Sequence, residues 1–403
     1  MPMRPCWVEI STRTLEDNYR FLRTLAGPEA ELLAIVKADA YGHSLPLCAP
    51  AAVRAGARWL GVTSVEEGVA ARAVCPEARV LVIGGVFPGQ GRAVIEHRLT
   101  AVVWEPWQLD ELEHACLAGG AQLQPVPVHL EVDTGMSRQG VSVDGDSFGA
   151  LTEMLGRFSG VSPLRLEGVM THLFAADEAD GAVTEEQLRR MDAALARIGE
   201  MGHSAEWFNV GNSAALLAGQ AGAIADLAGR HGMKALLRPG LALYGIAPRF
   251  EPEEPALVAA ARQHLRPVLA WKSRIVGVRS VPAGTVVGYN GTFVATEPMR
   301  LALVALGYAD GLDRRLGNRF SLLVRGQFAP IAGRISMDQT VLDVTDIPDA
   351  EPGDEVVILG EQEAEDASVP PANITAYDHA DAAGTIPWEV FTRIGARVRR
   401  IEV

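Results

Sequence analysis

Apolar and polar positions alternate on two scales along this chain, and the change falls near residue 245. The first strong apolar run, residues 32–36, is long enough for a buried strand and stops at Lys37. Similar runs follow at 59–63, 80–84, 101–104, 126–132, 166–172, 207–211 and 236–244. Helical periodicity fills stretches between them, as at 64–74, 108–118, 148–158 and 185–201; after Gly211, both 213–217 and 224–228 are helix candidates. Eight strand signals, each but the last followed by a helix-like crossover over about 240 residues, predict a (β/α)8 barrel. A doubly wound open sheet is the other arrangement this alternation allows. No G-x-G-x-x-G follows the first strand, which counts against it. Upstream, residues 7–10 read as a short strand. Ser11 is a candidate cap for a helix with Leu15, Tyr19 and Leu22 on one face, ended by Gly27 and Pro28.

Beyond Tyr244 the pattern changes. Pro248, Pro252 and Pro255 mark a boundary, and shorter alternating runs follow at 268–275, 299–306, 319–324, 339–344, 355–359 and 397–403. The polar, proline-containing stretch 361–372 reads as an exposed loop. The fold class expected is α/β: an N-terminal (β/α)8 TIM-type barrel over residues 11–246, then a C-terminal mostly-β domain over 247–403, with residues 1–10 available to add a strand.

Composition narrows the partners. The 403 residues are 48% hydrophobic and 21% charged, with a net charge of -14, which disfavours nucleic acid and anionic membranes. Cys6, Cys48, Cys75 and Cys116 show no metal or redox spacing and read as reduced thiols of a cytoplasmic protein. The first twelve residues lack the apolar region of a signal peptide, and no run is long enough to cross a bilayer.

The candidate chemistry gathers at strand ends. A lysine at the mouth of a dry strand is partly desolvated, which lowers its pKa and frees the amine to attack a carbonyl. For any single lysine, the commoner outcome is a strand that simply meets solvent. Strand parity in 128–133 puts Val128, Leu130 and Val132 on one face and His129, Glu131 and Asp133 on the other, pointing into the barrel. Arg138 follows in the next loop, His172 closes a later strand, and Arg238 lies in the last strand before Pro239. Barrel active sites form at this end. Asn212 and Ser213 precede a helix start, and Gly240 and Leu241 offer backbone N–H groups, so a phosphate site also fits. A nucleophilic amine beside a phosphate cradle matches an aldehyde carrying a phosphate, and pyridoxal 5′-phosphate is that molecule.

These residues resemble the alanine racemase family, the fold-type III pyridoxal-phosphate enzymes, over nearly the whole chain. AIVKADAYGHS is similar to the cofactor-lysine motif and VDTGMSRQG to the carboxylate-arginine motif. VMTHLFAADE, NVGNSAALL and LRPGLALYGIAP resemble later barrel signatures; VVGYNGTF, VALGYADG, GRISMDQT and AGTIPWEVFTRIGARV resemble those of the β domain. The resemblance implies that Lys37 holds the cofactor as an internal aldimine and serves as one base. Tyr289, from the second subunit of a head-to-tail homodimer, would be the other. It further implies that Arg138 binds the substrate carboxylate and that Arg238 donates to the pyridine nitrogen with His172 behind it. Tyr41, Ser213, Gly240 and Leu241, beside Asn212, would hold the phosphate. Met337 and Asp338 would reach the substrate from the partner, and Tyr308 would line the entrance. The activity implied is interconversion of L- and D-alanine by two bases, supplying D-alanine for peptidoglycan in a bacterial source. A phenol with an ordinary pKa of about 10 needs nearby cations to work as a base.

Two positions depart from the family. Many members have a lysine, often carbamylated, where this chain has Glu131. The expectation here is that Glu131 pairs with Arg138 directly or through water. Ala396 stands where the family often has a tyrosine at the phosphate, which suggests an enlarged pocket and a broad-specificity amino-acid racemase as the alternative; Trp388 is a candidate to fill the space. Other readings are a fold-type III decarboxylase, opposed by Arg238, a pyridoxal-phosphate carrier, opposed by the β domain with Tyr289, and a phosphate-binding barrel without cofactor.

Overall fold

The computed structural model describes residues 4–118, 125–143, 148–160, 162–364 and 368–403. Part of the N-terminal stretch read for targeting (1–3) and part of the polar stretch 361–372 (365–367) lie outside the described residues. The chain divides into two compact units. One comprises Arg13–Ala40 and Leu45–Arg266; the other comprises the residues up to Thr12, Tyr41–Ser44 and Pro267–Val403.

The first unit is a closed ring of eight parallel strands: Ala30–Ile35, Trp59–Val62, Arg79–Val82, Thr100–Val103, Val126–Asp133, Leu164–Met170, Trp207–Asn209 and Lys234–Leu237. Pairing of the fourth with the fifth and of the eighth with the first completes the ring. The strands are rich in apolar residues because both faces are covered, although 126–133 carries His129, Glu131 and Asp133 on one face. Leu32, Leu33, Leu60, Leu81, Val102 and Leu236 are wholly buried, each contributing about 1.5–3 kcal/mol of hydrophobic stabilisation. Helices cap as the sequence directs. Ser64 Oγ accepts from Glu67 N–H at the start of Val65–Val74, and the first helix, Thr12–Ala26, buries Leu15, Tyr19 and Leu22 before Gly27 turns left-handed.

The last barrel strand is shorter than 236–244. It ends at Leu237 and gives way to a 3-10 turn at Leu241–Tyr244. Pro239 has no N–H for the ladder, so the strand cannot continue through it. Arg238 therefore sits just past the strand rather than within it.

The strands' N-terminal ends are plugged. Trp59 meets Trp207 edge-on at 5.6 Å and His129 at 5.7 Å, and the Arg79 guanidinium lies 3.9 Å over the Trp59 ring. Arg79 also pairs with buried Glu167 at 2.5 Å.

The second unit is a mostly antiparallel sheet built on one long strand, Leu269–Val281. That strand pairs with Cys6–Ile10, Met299–Val304 and Glu355–Gln362. It runs six residues past the expected 268–275. Glu355–Gln362 and Ala372–Ile374 pair, so both ends of the stretch expected as loop are strand. Two unexpected helices follow, Ala376–Ala383 and Pro387–Thr392. Residues 41–44 belong to this unit. A Cβ on Gly42 would lie 2.4 Å from the Phe391 carbonyl oxygen, and Arg400 Nε donates to the Gly42 carbonyl at 3.0 Å.

Candidate active site

Lys37 stands two residues beyond the first barrel strand. Its amine makes no hydrogen bond or ion pair with a described residue. Burial, then the positive charges of Arg138 and Arg238, holds its pKa below the usual lysine value. The backbone after it takes an uncommon path. Ala38, Asp39, Ala40 and Tyr41 all have φ between 51° and 57°, one turn of left-handed coil. Such residues cost about 1–2 kcal/mol each, so the turn needs anchors. Glu67 supplies one, accepting Ala38 N–H at 2.7 Å and Thr63 N–H at 2.8 Å; Asp39 accepts Leu45 N–H at 2.7 Å.

Arg238 is buried, with 4% exposure, and almost fully committed. One terminal nitrogen donates to Asn209 O at 2.8 Å and Asn209 Oδ1 at 2.5 Å; the other donates to Thr171 O and His172 Nδ1, both at 3.0 Å. A guanidinium has five N–H bonds and cannot accept. Among the described residues only the Nε–H is left for a ligand. His172 Nδ1 must accept, so the ring is neutral with its proton on Nε2. Burial, followed by Arg238, Arg138 and Lys37, drives its pKa down to about 3. Burial also brings Arg238 down to about 10, still charged at neutral pH.

Arg138 is exposed and forms no ion pair with Glu131; the expected direct pairing is not what the barrel makes. The Glu131 carboxylate instead accepts Gln139 Nε2 at 2.5 Å, and the same nitrogen donates to Ile83 O at 3.2 Å. Burial pushes Glu131 up to about 7 against the opposing pull of Gln139, Arg238 and Arg138.

Of the phosphate candidates, Ser213 Oγ accepts the N–H groups of Gly240 at 3.0 Å and Ala242 at 3.2 Å, and Leu241 lies between them in sequence. Asn212 is occupied elsewhere: its Oδ1 caps Ala215 N–H and its Nδ2 holds Leu173 O.

The remaining candidates sit in the second unit. Tyr41 is buried and hydrogen-bonded to Trp388, and burial pushes its phenol up to about 12. Tyr289 tops a turn between Val286–Val287 and Phe293–Val294 and is 66% exposed. Met337, Asp338 and Tyr308 are laced together. Tyr308 N–H donates to Ser336 O, and Ala309 N–H to Met337 O, both at 3.0 Å; Arg397 bridges Asp310 at 2.7 Å and Asp338 at 2.8 Å. Gln139, Asn209 and Glu67 carry roles the sequence reading had not assigned.

A closed barrel thus carries at its mouth a depressed-pKa lysine, a spare arginine N–H and a serine bonded to the next loop's backbone. The chain belongs to the alanine racemase family. Residues 10–248 match the family model for the alanine racemase N-terminal domain, and 268–402 that for the C-terminal domain. It is 38% identical to an alanine racemase of Sorangium cellulosum, covering 99% of each chain. Among solved structures, it is similar to alanine racemase from D-cycloserine-producing Streptomyces lavendulae (34% identity, TM-score 0.85, 100% and 98% coverage). It is also similar to that from Bartonella henselae with covalently bound pyridoxal phosphate (26% identity, TM-score 0.81, 99% of each chain).

Proposed function

We propose that this chain racemises alanine with pyridoxal 5′-phosphate as cofactor, its barrel (residues 11–246) holding the cofactor and its β-rich part (247–403) supplying the second proton-transfer group. The observation that carries the reading is the set of charges around Lys37. A partly desolvated amine flanked by Arg138 and Arg238 is a nucleophile in an anion-seeking pocket. The donor set fits the group. Lys37 would hold its aldehyde carbon, the Arg238 Nε–H its ring nitrogen, and Ser213, Tyr41 and the Leu241 backbone its phosphate, with the Gly240 N–H turned to it from Ser213 Oγ. When bound, the cofactor supplies an electron sink that acidifies the α-hydrogen of an attached amino acid.

The chain's own groups do the rest. Arg238 would keep that ring nitrogen unprotonated, because guanidinium does not release its proton, and neutral His172 fixes the guanidinium. Arg138 binds the substrate carboxylate. Lys37 exchanges a proton with Cα on one face. Tyr289 of a second copy, arriving in a head-to-tail dimer, exchanges one on the other, with Met337 and Asp338 beside it and Tyr308 at the entrance. The exposure of Tyr289, Met337 and Tyr308 in a single chain supports that dimer. All four cysteines are buried and none forms a disulfide, which supports a cytoplasmic setting; no helix among the described residues is long and apolar enough to cross a membrane. The test is α-proton exchange in heavy water across a panel of L-amino acids, for wild type and Tyr289→Phe. Exchange on alanine with inversion in the wild type is expected. Exchange without inversion, or on no amino acid, overturns the reading.

A further inference from the structure

We propose that Gln139 is a positioning residue for Arg138: its side-chain amide, rather than the charge on Glu131, keeps the carboxylate-binding guanidinium in place. The inference rests on the reading of Arg138 given above.

Among the described residues Arg138 has no hydrogen-bond or ion-pair partner, so its direction is set by the backbone that carries it. Upstream, Asp133 accepts the N–H groups of Gly135 at 2.8 Å and of Ser137 at 3.1 Å, and Ser137 takes φ 56°. Thr134 Oγ1 ties that flank to Thr171 Oγ1 at 2.7 Å and receives Gln187 Nε2 at 3.0 Å. Downstream, Gly140 nests on its own strand: a Cβ there would lie 2.6 Å from Asp133 N. Val141–Ser142 then pairs with Val132 and Asp133. These downstream contacts return the loop to the strand it left.

Among the described residues of this flank, Gln139 is the one whose side chain reaches a different strand. Its two amide hydrogens go to Ile83 O, just past Arg79–Val82, and to Glu131 Oε2. The nitrogen's donor capacity is thereby used in full. The residue next to Arg138 is a cross-brace between two barrel strands, matched on the other flank by Thr134. A carboxyl accepts this hydrogen bond whether ionised or protonated, so the brace does not depend on the charge of Glu131. No ion pair joins that charge to Arg138.

The test compares Gln139→Met, Glu131→Gln, Glu131→Leu and Arg138→Leu holoenzymes. Two readouts are needed: calorimetric titration with acetate, a carboxylate without an amine, and steady-state kcat and KM for alanine. Gln139→Met and Glu131→Leu, which remove donor or acceptor, are expected to raise the acetate Kd and the alanine KM about tenfold with kcat changed far less. Glu131→Gln keeps an acceptor without the charge and is expected to shift both by less than about threefold. An acetate Kd unchanged in Gln139→Met overturns the proposal, as does a Glu131→Gln loss equal to that of Glu131→Leu. If Arg138→Leu leaves acetate binding intact, it is the assignment of Arg138 that fails instead. Thermal melts and cofactor absorbance identify any variant that has not folded, and the two Glu131 variants then decide the matter.

Discussion

Lys37 and Tyr289, the two proposed proton carriers, differ in how much of their setting one chain supplies. Around Lys37 the barrel provides burial, two guanidinium groups and a braced backbone turn. Tyr289 has only its turn, and 66% of it faces solvent. The contrast teaches that residue type alone does not make a base. One group is conditioned by the fold; the other, in the proposed dimer, takes its surroundings from a second copy.

The sharpest way to break this contrast is to remove each group in turn. Lys37→Ala is expected to abolish racemisation, by at least about a thousandfold, and to remove the cofactor's lysine-linked absorbance band. Tyr289→Phe is expected to cost about 100- to 10,000-fold in racemisation while leaving that band in place. Mixing the two inactive variants then tests where Tyr289 works. If it serves a neighbouring subunit, random exchange restores about a quarter of wild-type sites. No recovery places both groups in the same chain.

The next effect concerns the barrel mouth and pH. Glu131 binds its proton more tightly folded (about 7) than its ordinary 4.5. The stability it contributes is full below about pH 4.5 and lost as pH rises through about 7, on the order of 3 kcal/mol in all. His172 has the opposite sign. Its folded value near 3 lies below the ordinary 6.5, so its contribution is present above pH 6.5 and declines as pH falls toward 3. Denaturation across pH 4–8 should show a flatter alkaline limb in Glu131→Gln and a flatter acid limb in His172→Gln. Unchanged slopes would mean neither carboxyl nor imidazole is held as described.

The smallest effect belongs to the second unit. Arg397→Met removes one of the donors to fully buried Asp310 and frees the Asp338 carboxylate, while Arg4 still holds the Asp338 carbonyl. Arg4 and Gly307 N–H still serve Asp310, so a drop of only about 2–4 °C in Tm is expected. It should be accompanied by a modest rise in alanine KM through the Met337–Asp338 turn.

What could be read from sequence follows from what kind of signal each part emits. The barrel was legible because eight covered strands leave eight apolar runs. Lys37, Arg138, His172 and Arg238 were legible because a charge at the end of such a run is conspicuous. Gln139 and Asn209 were not. Both are neutral, and their work depends on which distant strand lies alongside, a matter of register that spacing does not encode. Asn209 left one clue, sharing a strand face with Trp207. The two helices at 376–383 and 387–392 were missed although their start signals are present. Thr375 with Asp378 forms a capping box, and Pro387 opens the second. A polar, proline-bearing stretch upstream drew the reading toward loop. The family's lysine position shows the limit of matching by charge. Glu131 was expected to meet Arg138 directly or through water; the fold makes no direct pair and joins Glu131 to the amide of Gln139, one residue further on.

The indole rings of Trp59 and Trp207, with Arg79 stacked across them, make the barrel a cup instead of a pipe. That end is closed to traffic. If the site lies at the open end as proposed, substrate and its mirror-image product use the same rim in turn, and an arriving molecule cannot push a departing one out through the floor. Anything that lodges at the rim blocks both directions at once.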